Sequence, residues 1–265
     1  MSRAVSRPTT LERALRHDQR LATGSLVMLS LACWVWLVPM ASDMYGSMQG
    51  ASAWMMTARW NLPFTLLMLV MWVAMMTAMM LPTAVPTLLL VGLVVRADPG
   101  SSPAVRVYIF AAGYLLVWGV FGAVMTLVQR ELVLHSVMTA MMQLQATRLS
   151  GALLMLAGVY QLTPAKRACL RVCHSPAGFI ARHWRTGNAG ALRMGISHGL
   201  FCLGCCWALM LILFALGVMN LPVLLALTAF LIVEKTAPAS LHTEVVGGVL
   251  LTAFGAWMVA SSWPS

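Results

Sequence analysis

Charge is what this chain has least of. Charged residues make up 9 % of its 265 residues, and only seven are acidic, whereas soluble domains carry about 25 % charged residues. A chain that is 60 % hydrophobic cannot cover a soluble globule with polar groups. The marks of several enzyme classes are also missing. There is no phosphate-binding Gly-x-x-x-x-Gly-Lys loop, no dinucleotide fingerprint, no His-Glu-x-x-His, and no Ser–His–Asp set with motif support. No Cys-x-x-Cys-His occurs to attach a haem. The period-2 alternation of membrane barrel strands is absent, and the N-terminal residues show no signal-peptide cleavage pattern.

Long apolar runs are what the chain does have. Several approach the roughly 20 residues that cross a bilayer core of about 30 Å as helix. They predict an all-α, polytopic helical membrane protein of about seven transmembrane helices, near 21–40, 62–81, 107–128, 149–163, 196–218, 221–237 and 245–261. Some runs are short or broken by proline, so six or eight spans stay open. Pro39 is expected to end the first span, and Pro82 and Pro86 to break or kink the second. The mixed segment 129–148 suits an interfacial helix or an extension of the fourth span. His135 within it has no ligand-like neighbour and reads as structural.

The formal charge of +10 raises the question of nucleic acid. The basic residues flank the apolar runs instead of forming one patch interleaved with aromatics, so a lipid bilayer is the expected partner and nucleic acid is not. Assigned to alternate loops, 14 Lys and Arg fall on one side, and only Arg59, Arg130 and Arg148 on the other. The positive-inside rule then puts the N-terminus in the cytoplasm and the C-terminus outside, in the inner (cytoplasmic) membrane. Residues 1–20 read as a basic cytosolic tail. Residues 21–262 read as one transmembrane domain with a cytosolic Cys-containing segment at 164–195.

Five of the six cysteines lie between Cys169 and Cys206. Thr163 as N-cap and Pro164 at the first position start a short helix, which Pro176 stops. Cys169 and Cys173 then share one face at i, i+4. In the next span, His198, Cys202 and Cys205 fall within about 60° of one another on a helix. Cys206 follows directly, about 100° away. In a reducing cytosol these thiols do not read as a permanent disulfide framework. Thiolates with imidazole suit Cu(I), Zn(II) or an iron–sulfur cluster.

Cys169, Cys173, His198, Cys202 and Cys205 are therefore the candidate metal ligands. Cys206, His174, Met75, Met79 and Glu234 form a second rank. The Met75-Met76 and Met79-Met80 doublets of the second span serve either flexible packing or ligation. Thioethers in the set favour copper(I) over zinc or iron. Glu234 either pairs with Lys235 or an arginine of 164–193, or acts as an oxygen ligand or proton carrier. Lys235 is expected to snorkel to the headgroups.

Five stretches together resemble a bacterial family of unknown function, described as predicted metal-binding integral membrane proteins. They are Met75-Met-Thr-Ala-Met-Met-Leu-Pro82, Gly113-Tyr-Leu-Leu-Val-Trp118, Ala157 through Cys173, His198 through Met210, and Glu234-Lys235. The resemblance covers about residues 62–260. The family pattern usually has Arg where this chain has His174. The resemblance implies a metal but no transported species and no reaction.

The expectation is an integral membrane protein that binds a soft transition metal at a cytosol-facing Cys/His site, for metal transport or delivery. A metallochaperone or a membrane-complex subunit would be its protein partner. A thiol–disulfide or electron carrier, and a metal-stapled structural or assembly subunit, are the alternatives. A weak inverted likeness between spans two to four and five to seven fits a transporter.

Overall fold

A computed structural model describes residues 10–44, 60–95, 102–139, 142–238 and 241–262, with backbone only over 10–20. Residues 1–9 of the basic tail, the loop 45–59 with Arg59, and the link 96–101 with Arg96 lie outside the described residues. Nine helices form the described chain: α1 (Thr10–Met44), α2 (Leu62–Val94), α3 (Pro103–Leu134), α4 (Thr147–Gln161), α5 (Pro164–His174), α6 (Pro176–His183), α7 (Gly187–Leu216), α8 (Leu221–Thr236) and α9 (Thr243–Ser261). Five of them are long and apolar enough to cross a membrane: Leu21–Met44 of α1, α2, α3, α7 and α9. α4 and α8 have 15 and 16 residues. At 1.5 Å per residue each reaches about 22–24 Å, less than a bilayer core of about 30 Å.

The caps follow the sequence signals. Asn61, Thr163, Ser175 and Asn220 each accept from the backbone N–H three residues on, and each is followed by proline in the first turn. These side chains satisfy N–H groups that have no partner inside the helix. Pro176 does end α5, and it also begins α6, because proline suits a first turn as well as it blocks an interior one.

The prolines expected to end or break the spans do not do so here. α1 continues through Pro39 to Met44, and α2 continues through Pro82 and Pro86. Pro82 has no N–H to give the carbonyl of Ala78. That carbonyl instead accepts from Ser30 Oγ at 3.0 Å and Trp34 Nε1 at 3.1 Å, both on α1. The neighbouring helix thus satisfies the group the proline frees, as membrane proteins commonly arrange. The segment expected to be an interfacial helix divides differently: α3 runs to Leu134, and 142–146 is not helical. Leu144 N–H bonds the carbonyl of Phe214, so this connection lies against the end of α7.

Two helix pairs set the architecture, α3 with α7 and α4 with α9. Both rely on absent side chains. A Cβ on Gly195 would run into the Phe110 carbonyl, and one on Gly113 would lie 2.5 Å from the Leu192 carbonyl oxygen. On α4, Gly151 faces the Gly255 carbonyl, and Gly158 meets Thr252 and Gly248 of α9. Small residues of this kind let helices approach where no hydrophobic effect drives them together. α2 packs on α3, α1 covers α2 and α3, and the short α5 rests on α7 and α8.

Candidate metal centre

α5 carries two thiols to α7. Its first buried residue, Lys166, is 0 % exposed and ion-paired at 2.8 Å with Glu234 of α8, also 0 % exposed. Gln161 Nε2 donates to the same carboxylate at 3.3 Å, and the His174 ring N–H donates to the Glu234 main-chain carbonyl. Two charges leave water here only because they neutralise each other. The ion pair and the His174 bond fasten the two ends of α5 to α8. Arg167 and Arg171 stay on the outer, exposed face.

Clamped in this way, α5 turns Cys169 and Cys173 toward α7. Cys169 sits against Gly204: a Cβ there would lie 2.8 Å from the Cys169 sulfur. Cys173 Sγ is 3.9 Å from Cys205 Sγ, and Cys205 Sγ is 3.2 Å from Cys206 Sγ. Cys205 donates to the Cys202 carbonyl at 3.1 Å. Cys202, Cys205 and Cys206 are buried, Cys169 and Cys173 half-buried, and all six cysteines are free thiols.

On the far side of the thiols stands Lys235. It does not snorkel to the surface but is buried, 8 % exposed. Its Nζ donates to Cys202 Sγ at 3.0 Å and to Thr83 Oγ1 at 3.1 Å, and approaches Met80 Sδ at 4.0 Å. Tyr114 OH lies 3.1 Å from the same Cys202 sulfur and donates to the Met80 carbonyl at 3.0 Å. The inward orientation of Lys235 follows from that of Glu234. With the carboxylate committed to Lys166, the next residue on the helix points elsewhere, toward the sulfurs.

The remaining expected ligands are placed less centrally. His198 is buried within an aromatic cage of Phe110, Tyr114 and Phe179, with ring centroids at 5.9, 5.7 and 5.0 Å. Its Nε2 is 3.4 Å from Thr87 Oγ1, and its Nδ1 has no hydrogen-bond partner among the described residues. Met75 and Met79 are fully buried in α2, and the sulfur that reaches the cluster is that of Met80. Glu234 presents its carboxylate to Lys166, and His174 its ring to the Glu234 backbone. His135, on the exposed surface, lies 4.0 Å from Glu131.

Lys235, Tyr114 and Thr83 were not among the expected site residues, and Met80 entered only through a methionine doublet read as either packing or ligation. The spacing of Met80, Thr83 and Thr87 carried a signal for three of the site's neighbours: they share one face of α2 at i, i+3, i+7. Tyr114 and Lys235 belong to separate helices, and no local pattern connects them.

Among the described residues, no three Cys, His, Asp or Glu side chains converge as a ready-made metal cage. The thiols meet pairwise. Two sulfurs each about 2.3 Å from a shared ion lie at most about 4.6 Å apart. The Cys173–Cys205 separation of 3.9 Å and the Cys205–Cys206 separation of 3.2 Å fall within that reach. The donors are soft, and the Glu234 carboxylate beside them is already spent on Lys166, which matches a soft ion. Burial pushes the Cys169 thiol up from its ordinary value. Cys173 is pushed well above it, first by the hydrogen bond to Cys202 and then by burial, against an opposing bond from Cys205. Ligation at these positions would therefore release protons.

Membrane-length helices around a cluster of buried and half-buried thiols define the class of this molecule. The chain belongs to the PpoB2 family, described as copper chaperone, whose family model matches residues 69–258. That stretch contains every residue of the centre. Neither a curated protein nor a solved structure matched the chain.

Proposed function

We propose that this protein is a multi-pass membrane protein that accepts copper(I) at Cys169 and Cys173 and passes it to Cys202, Cys205 and Cys206. One observation carries the reading: the thiol of Cys173, on a short helix outside the membrane-length segments, lies 3.9 Å from that of Cys205 inside one. Thiol ligands from two elements within reach of one ion allow copper to move by ligand exchange, without a free ion in the apolar interior. The exposed arginines of α5 and α6, read with the positive-inside rule, favour the cytoplasmic side for the entry end. Met80, beyond Cys202, is a soft donor for the onward step. His198 is a reserve nitrogen donor behind its aromatic cage. The family's copper description supports copper over zinc or iron.

The test is metal content of the purified full chain after copper loading under reducing conditions. Wild type is expected to retain copper, and Cys202→Ser combined with Cys205→Ser to lose most of it. Equal and negligible copper in both would sink the reading. The same 3.9 Å approach suits a second reading, a dithiol carrier in which Cys173 and Cys205 exchange electrons as a disulfide. Alkylation trapping in cells separates the two. A carrier shows a reversibly oxidised Cys173–Cys205 fraction, whereas a metal site shows thiols protected until a chelator is added.

A further inference from the structure

We infer that Lys235 is the residue by which the thiol centre prefers a monovalent ion to a divalent one; this rests on the copper reading above. The chain buries two lysines close together, Lys166 and Lys235. Lys166 is neutralised by Glu234. Lys235, the next residue on α8, sends its ammonium to Cys202 Sγ, Thr83 Oγ1 and Met80 Sδ, all uncharged or sulfur groups. The Lys166–Glu234 pair sums to zero, so the charge of Lys235 is left for the thiol centre to balance.

A positive charge held in a poorly solvated interior repels a metal ion placed beside it, and a divalent ion twice as strongly as a monovalent one at the same position. This repulsion does not depend on how many thiolates are used. For two thiolates the sums are clear: Cu(I) with Lys235 is neutral, and Zn(II) with Lys235 carries one uncompensated positive charge, which is costly in an apolar interior. Softness of the sulfurs selects thiophilic metals as a class. Lys235 sorts them by charge.

The experiment measures Cu(I) and Zn(II) affinities of the purified full chain in detergent, each by competition with a chromophoric chelator under anaerobic reducing conditions. Lys235→Met removes the charge, and Lys235→Arg keeps it. Lys235→Gln keeps a hydrogen-bond donor for Cys202 and Thr83 and serves if the methionine variant does not fold. The Cu(I)-to-Zn(II) affinity ratio is expected to fall at least about tenfold in the Met or Gln variant, and to stay near wild type in the Arg variant. A ratio unchanged within about twofold, or an equal loss for both metals, overturns the inference and leaves the copper reading standing. A wild type that binds no Cu(I) overturns both.

Discussion

Lys166 and Glu234 form an ion pair of 2.8 Å with neither side chain exposed to solvent, and the pair holds α5 in register with the thiols of α7. Breaking one side of such a pair strands a charge in the interior. Glu234→Gln or Lys166→Met is expected to cost about 3–5 kcal/mol, while Lys166→Met combined with Glu234→Leu recovers most of that loss. Thermal unfolding in detergent checks both. A single variant as stable as wild type would show that the pair does not anchor α5.

The α3–α7 crossing makes a prediction of opposite signs at two glycines of the same helix. Gly113→Ala puts a methyl 2.5 Å from the Leu192 carbonyl oxygen, whereas nothing lies within 4 Å of the corresponding position at Gly119. The first is expected to destabilise or prevent folding. The second is expected to be neutral or to stabilise by about 0.5–1 kcal/mol, as alanine loses less backbone entropy in a helix. Yield of monodisperse protein and melting temperature distinguish them, and a tolerated Gly113→Ala contradicts the close approach.

Gly204 provides the recess for Cys169. A methyl group in Gly204→Ala, 2.8 Å from that sulfur, can be accommodated by turning the thiol outward, since the obstacle is the end of a side chain and not backbone. Faster alkylation of Cys169 is the expected outcome, with the melting temperature shifted by only a few degrees. Cys202, Cys205 and Cys206 should stay slow in both proteins, because they are buried. Mass spectrometry of the alkylated peptides reads this directly, and unchanged Cys169 reactivity would place its sulfur elsewhere.

The carbonyl freed by Pro82 predicts a small, local effect. Ser30→Ala removes one of the two donors to Ala78 O while Trp34 Nε1 remains. A loss of about 0.5–1.5 kcal/mol is expected, the net worth of one hydrogen bond. Trp34→Phe in the same background leaves that carbonyl with neither donor and should cost more than the sum of the two single changes. Additive or absent effects would mean that α1 does not serve this carbonyl.

Much of the helical architecture was legible because it depends on local chemistry. Apolar runs announced the long helices, and Thr163-Pro164 announced α5 with its cap. The i, i+4 spacing brought out the shared face of Cys169 and Cys173. The extent of α2 was not legible, since its continuity past Pro82 depends on Ser30 and Trp34 some 50 residues away. The site divided the same way. The cysteines could be singled out as soft donors. The role of Lys235 could not, because its direction depends on Glu234 being held by Lys166 from another helix. His198 shares a stripe with Cys202 and Cys205, yet its ring is enclosed by Phe110, Tyr114 and Phe179, which periodicity along one helix does not reveal.

The central claim is that thiols of α5 and α7 hold one ion between them, and a double-mutant cycle on Cu(I) affinity with Cys173→Ser, Cys205→Ser and both together tests it most directly. Residues that share one ion couple strongly, so each single change is expected to lose nearly as much affinity as the pair. Losses that add independently, or a wild-type affinity kept in all three variants, would contradict it.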